Sequence, residues 1–256
     1  MVFKASDYWF KMIFEIMIKD GDLRLLGDYF IVGLGGGFTT LHKYLENPVD
    51  VTGSGRVVKV FTGTYRGVEL STIAIAGGGV YAEWVMGLAY KRKAKAVIGV
   101  GWCGGLADFI EVGDIVVPVA AVRDEDTTKH YVCDSYPAVA DFTLANILYE
   151  TLKELSANTG IRGHEGLLIT TSSTLTENPE WGQKWASRRV LGVDCETSVV
   201  YTLATLAGIP AVNVLVVSDH VVKRKAAEET RLEEKMIKAY DLALKASYET
   251  LAKLSA

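Results

Sequence analysis

This sequence predicts a three-layer α/β fold in a single domain, and three features carry the prediction. Apolar runs of strand length alternate with helical patterns along the chain. Several of those runs are almost wholly apolar, as strands covered on both faces require. Hydrophobic residues make up 49% of the 256, against 23% charged, which suffices for one large core and is too apolar for disorder.

The elements follow in order. The first 28 residues read as an N-terminal extension. Lys4, Asp7, Lys11, Glu15 and Lys19 interrupt any signal-peptide core there and fit an amphipathic helix. Residues 29–256 read as the domain proper. It opens with a buried strand, Tyr29 to Val32, then the glycine loop Gly33 to Gly37 and a helix placing Leu41, Tyr44 and Leu45 on one face. Arg56 to Thr62 and Val68 to Ala76 form strands around the turn 64–67. Gly77-Gly78-Gly79 leads into a helix from Tyr81 to Lys91. Strands are expected at Ala96 to Val100, Ile115 to Val122 and His164 to Thr171. A helix lies within Pro137 to Ser156, and a charged amphipathic helix runs from Ala226 to Leu254.

Net charge is −4, so no nucleic-acid partner is implied. Lys91-Arg92-Lys93 and Lys223-Arg224-Lys225 read as solvated helix ends or turns. The odd, widely spaced Cys103, Cys133 and Cys195 fit a reducing cytoplasm and offer no zinc pattern. Ser198 to Ser218 carries no charge, yet Gly208 and Pro210 split it into a buried helix and a buried strand, not a membrane span.

Two acids stand out. Glu196 follows the apolar run Val190 to Val193, where a helix begins. Asp219 follows the apolar run Ala211 to Val217, where a strand ends. A crossover between parallel strands would place both at the carboxyl rim of one sheet, where open α/β sheets bind ligands. Singly, each acid could be a helix-start or strand-end cap. Gly99 to Gly104 matches G-x-G-x-x-G, but no crossover helix fits before the turn Glu111 to Asp114, so a dinucleotide site is rejected. The loop Gly33 to Gly37 is either a plain turn or an anion-binding set of amides. His130 and Tyr131 read as loop residues, and Trp181 with Trp185 as a packing face.

Blocks of the chain resemble the nucleoside phosphorylase family, of the uridine phosphorylase and bacterial-type purine nucleoside phosphorylase kind. They are Phe61 to Gly67, Gly101 to Gly105 with Val112 to Val116, Pro137 to Phe142, Leu191 to Thr197 and Val217 to His220. The resemblance runs from Phe30 to Leu244 and implies a twisted, mixed central sheet. It also implies a homo-oligomer, a hexamer built as a trimer of dimers. The implied reaction is phosphorolysis of a nucleoside, with phosphate as co-substrate and no cofactor. On the same basis Glu196 takes the ribose hydroxyls, Cys195 packs on the sugar, and Asp194 and Ser218, beside the two acids, are expected to bind substrate as well. Asp219 protonates a purine or holds its proton in a hydrogen bond, which favours purines and needs a raised pKa or a shared proton. Thr176 and Glu177 take the positions of base-stacking aromatics. Glu177 either recognises an amino-bearing base edge or points to solvent. Arg231 is a possible modulator of Asp219.

The phosphate site departs from the family. The first glycine loop has neither Arg nor acid, and Gly99 and Trp102 replace an Arg and a hydroxyl residue. Only Arg56 matches a family phosphate Arg, one donated to a neighbouring subunit. Gly33, Trp102 and a neighbour's Arg56 are therefore expected around the acceptor. Hydrolysis, with water as acceptor, is the alternative expectation, although the loop offers no base for it. A binding relative with reduced catalysis is a third.

Overall fold

The computed structural model describes residues 2–223, 225–226 and 230–255, without the side chains of 225, 226, 230 and 231. The elements are α1 (Asp7–Met17), β1 (Tyr29–Leu34), β2 (Glu46–Asp50), β3 (Val58–Tyr65), β4 (Val68–Ile75), α2 (Gly79–Arg92), β5 (Ala96–Gly105), β6 (Ile115–Asp124) and β7 (Ala138–Val139). They continue with α3 (Phe142–Ser156), β8 (Gly163–Thr171), α4 (Pro179–Ala186), β9 (Val190–Asp194), α5 (Thr197–Ala207), β10 (Ala211–His220), β11 (Lys225–Ala226) and α6 (Thr230–Ser255).

One mixed sheet organises them. Its order is β11-β10-β6-β8-β9-β5-β1-β4-β3-β2, and β10 also pairs with β5. The strands β5, β10, β6, β8 and β9 therefore close into a ring, while β1, β4, β3 and β2 extend from β5 as an open wing. Apolar residues of α1, α2 and α5 pack on one face of the sheet. Those of α3 and α6 pack on the other. The three-layer expectation is met.

The ring corrects one expectation and locates the site. The acids Glu196 and Asp219 were expected after parallel strands joined by a crossover. Instead β10 runs parallel to β5, while β9 meets the end of β5 antiparallel. Closing the ring requires this, because β10 meets β6 antiparallel while β6, β8 and β9 run parallel to one another. The acids are still brought together. Val193 and Asp219 both stand opposite Gly104, on the two sides of β5. On the β9 side, β1 pairs with β5 only as far as Gly101. The strand end where β1 leaves and β9 joins corresponds to the place where open sheets bind ligands.

Other boundaries shift for local reasons. No helix forms at 38–45; consecutive turns there bury Leu41 and Leu45 and feed the unexpected edge strand β2. Gly33 belongs to β1, so the loop proper begins at Gly35. Strand β5 continues through the glycine motif to Gly105. Asp141 caps α3, its Oδ1 accepting the Leu144 N–H at 2.8 Å, so that helix starts at Phe142. Trp181 and Trp185 make an edge-to-face pair packed beside Val190 and Val193, the packing face expected. His130 is exposed on a short 3₁₀ turn, as a loop residue.

Candidate functional site

Glu196 is the N-cap residue of α5, buried to 6% exposure. The positive end of the helix dipole favours its charge. Its Oε1 accepts the Gly78 N–H. A Cβ on Gly77 would stand 3.2 Å from Glu196 Oε1 and 3.1 Å from Gly35 Cα, and its φ of +110° also demands glycine. The carboxylate therefore lies between the glycines opening α2 and the loop after β1. Burial raises its pKa, and the charge of Asp194 raises it further.

Asp194 was expected to touch substrate, and the geometry corrects that. Its Oδ1 accepts Thr170 Oγ1 at 2.7 Å, and its Oδ2 accepts the Thr197 N–H at 2.8 Å and Thr197 Oγ1 at 2.5 Å. One oxygen is spent on β8 and the other on the first turn of α5, so Asp194 positions Glu196. The network continues inward. Ser198 Oγ donates to Glu125 at 3.0 Å, and Asn213 Nδ2 donates to Thr197 Oγ1 at 2.9 Å. The network is satisfied except at Asn213 Oδ1, which is buried without a hydrogen-bond partner among the described residues.

Asp219 ends β10, half-buried. The Ser218 hydroxyl donates to its Oδ1 at 2.7 Å. Its Oδ2 lies 3.4 Å from where a Cβ on Gly104 would stand. Glu177 is close enough to feel it: burial first, then the charge of Asp219, pushes the Glu177 carboxyl up to about 7. The Cys195 thiol is pushed up to about 12 by burial, then by Glu196, Asp194 and Glu177. Glu177, Cys195, Glu196 and Asp219 thus share one electrostatic neighbourhood at the end of β5.

Two expected residues lie elsewhere in this chain. Thr176 is exposed, its Oγ1 donating to the Ser173 carbonyl at 2.9 Å, and this local turn keeps it out of the cluster. Arg56 is exposed in the loop before β3, a strand separated from β5 by β4 and β1. The side chain of Arg231 lies outside the described residues. Gly33 is packed in β1 against the Gly36 carbonyl. Trp102, half-buried on β5, stacks on Tyr240 of α6 with centroids 4.9 Å apart and planes at 18°. Its Nε1 lies 3.5 Å from where a Cβ on Gly36 would stand, so the indole covers the loop.

Sequence reading missed Tyr240, which carries no motif, and the Gly78 amide that holds Glu196, although the run Gly77-Gly78-Gly79 was a signal. Gly99 also gains a packing reason. A Cβ there would run into Asn213 Oδ1 and stand 2.8 Å from Leu34 Cδ1. Gly99→Ala is therefore expected to cost about 1–3 kcal/mol in urea unfolding, the usual range for overpacking. A midpoint equal to that of the parent would refute this packing account.

With this geometry in hand, residues 29–255 match the sequence profile of the phosphorylase superfamily. The chain belongs to the phosphorylase superfamily. Among relatives of this superfamily, the DeoD-type purine nucleoside phosphorylase of Clostridium perfringens strain ATCC 13124 is 33% identical over 195 residues, covering 75% of this chain and 79% of that one. The DeoD-type enzyme of Geobacillus kaustophilus is 32% identical over 180 residues, covering 69% and 72%. In structure, the chain resembles a uridine phosphorylase of Vibrio fischeri ES114, with a TM-score of 0.81 and 25% identity over 91% of this chain and 95% of that one. A second structure of it, complexed with 6-hydroxy-1-naphthoic acid, gives a TM-score of 0.83 at 24% identity, covering 96% and 99%. The phosphorylase fold expected from the sequence is thereby shown, and the chain is an enzyme of the phosphorylase class. No described helix of this superfamily member is long and apolar enough to cross a membrane.

Glu177 supplies a pH test of the cluster in this phosphorylase-class chain. Its folded pKa stands above the ordinary 4.5, so the folded state binds the proton more tightly. Stability is then lost as pH rises from about 4.5 to about 7 and stays lost above that window. Glu177→Gln has no such loss. Its melting temperature relative to the parent is expected to climb through that window and level off above it. A pH-independent difference would show that Glu177 is solvated.

Proposed function

We propose that this protein cleaves the N-glycosidic bond of a purine nucleoside with phosphate as acceptor, giving free base and ribose 1-phosphate. The observation that carries the reading is the placement of Glu196 and Asp219 around the end of β5. One carboxylate, beside the glycine loops, suits ribose hydroxyls. The other, on the far side of Gly104, suits the departing base. The names of the DeoD-type relatives support both purine and phosphate.

As the C–N bond breaks, its electron pair passes to the base and positive charge builds on the sugar. Asp219, steadied by Ser218, holds or delivers the proton at the imidazole nitrogen of the purine, while a phosphate oxygen attacks the anomeric carbon. Glu196 holds the ribose, Cys195 packs against it, and Glu177 faces an amino-bearing edge of the base. No cofactor takes part. Arg56 reaches the acceptor of a neighbouring subunit in a homo-oligomer, a hexamer built as a trimer of dimers, in the cytoplasm.

The indole of Trp102, lying over Gly36, favours a second reading in which water replaces phosphate. Base release from adenosine, inosine and guanosine, followed with and without phosphate, tests both. Phosphate-dependent turnover with ribose 1-phosphate as product supports the first reading. Equal rates in phosphate-free buffer support the second. Absence of base release in either buffer sinks both.

A further inference from the structure

An α-helix leaves its last four carbonyls without helical donors. In α1 these belong to Phe14, Glu15, Ile16 and Met17, and the Ile18 N–H donates to the first of them at 2.7 Å. The other three accept from a single distant loop. Glu15 O takes the Ser54 N–H at 3.0 Å, Ile16 O the Gly55 N–H at 2.8 Å and Met17 O the Gly53 N–H at 3.0 Å. The Ser54 hydroxyl adds a bond to Glu15 O at 3.2 Å, and the Lys19 N–H donates to Val51 O at 2.8 Å. Two glycines permit this approach. A Cβ on Gly53 would run into Glu15 O and stand 2.7 Å from Ile16 O; one on Gly55 would stand 2.6 Å from Ile16 Cγ2 and 2.8 Å from Ile16 O. The helix itself is anchored, with Phe10, Phe14 and Met17 buried in the core that includes Val85 and Met86 of α2. It precedes residues 29–255, the part matched by the superfamily profile. The residue after Gly55 is Arg56, exposed and without a carboxylate partner among the described residues.

We infer that α1 is a splint for the loop that carries Arg56, an element ahead of the superfamily region that aims this guanidinium. The inference rests on the reading of phosphate as acceptor and Arg56 as its cation. A guanidinium grips phosphate through a rigid fork of N–H groups, so its direction of arrival matters. An unsupported loop would have to be ordered when the anion binds, and that entropy would be lost from affinity. Three amides held by the end of α1 order the loop beforehand. Gly53 and Gly55 are positioning residues on this account, since they touch α1 and act through Arg56.

Amide hydrogen exchange on the intact protein gives the first test. The amides of Gly53, Ser54 and Gly55 are expected to exchange at least about tenfold more slowly than free amides. Gly53→Ala and Gly55→Ala then set a methyl group against α1 and keep Arg56. Each should lose that protection and raise the KM for phosphate about tenfold, the order of one lost hydrogen bond to a charged group. The KM for nucleoside should stay at the parental value. In an Arg56→Ala background the same glycine changes should add nothing, because the cation they misdirect is gone. Free exchange of these amides in the parent overturns the inference. So does a parental phosphate KM in the folded glycine variants or in Arg56→Ala, an equal rise in both KM values, or an undiminished glycine effect without Arg56. Should one glycine variant fail to fold, the other decides, and exchange in the parent needs neither. Base release by the parent at equal rates with and without phosphate would overturn the phosphate reading and this inference together; every other outcome leaves that reading standing.

Discussion

Asp219→Asn is expected to slow purine release by at least tenfold, since general acid catalysis typically contributes about 10²–10⁴. The amide keeps the shape, so Ser218 can still bond to it through the amide oxygen. What it loses is the ability to give up or share a proton with the base nitrogen. The loss should concentrate in kcat, because the contact matures as the C–N bond breaks and charge moves onto the base. A nucleoside whose base leaves readily without protonation should be cleaved at nearly the parental rate, which separates proton delivery from general damage. Steady-state kinetics on the natural purine nucleosides and on such an activated substrate check both halves. Unchanged turnover of the natural substrates would remove Asp219 from the mechanism.

Glu196→Gln should lower kcat/KM by about a hundredfold, with KM for the nucleoside carrying much of the loss. Hydrogen bonds to a charged group are worth about 1.5–3 kcal/mol each, and two ribose hydroxyls share this carboxylate in the proposed pose. The stability effect runs the other way. Burial raises the Glu196 pKa in the folded state, so ionising it costs stability as pH rises through the acid-to-neutral range. Gln lacks that cost while still accepting the Gly78 N–H. The variant should therefore melt no lower than the parent at neutral pH, and its relative stability should grow with pH. Activity lost alongside a lower melting temperature would mark Glu196 as a structural cap and nothing more.

The two acids show how far the sequence carries. Each sits at the end of an apolar run, a pattern that local hydrophobicity announces. That Val193, three residues before Glu196, and Asp219 pair with one residue from opposite sides of β5 was not readable in that form. The crossover rule led to parallel neighbours, whereas ring closure turned β9 antiparallel to β5. Asp194 was equally opaque. Next to Glu196 in sequence, it looked like a second ligand group, but Thr170 and Thr197 consume both its oxygens. Thr170 comes from another strand, and no local pattern points to it. The turns at 38–45 carried a helical spacing of Leu41 and Leu45, yet a single buried face can be made by consecutive turns as well as by a helix.

What the sequence determined by itself was the alternation of strand and helix, the apolar cores of β5 and β10, and the glycines where backbones approach closely. Those follow from residue size, polarity and backbone freedom, which act over a few neighbours. Only the tertiary structure decided which strand ends meet, that Gly99 is packed against Asn213, and that Tyr240, far along the chain, lies over the first glycine loop. These depend on contacts between distant segments, whose energies arise only when the sheet closes and its helices dock.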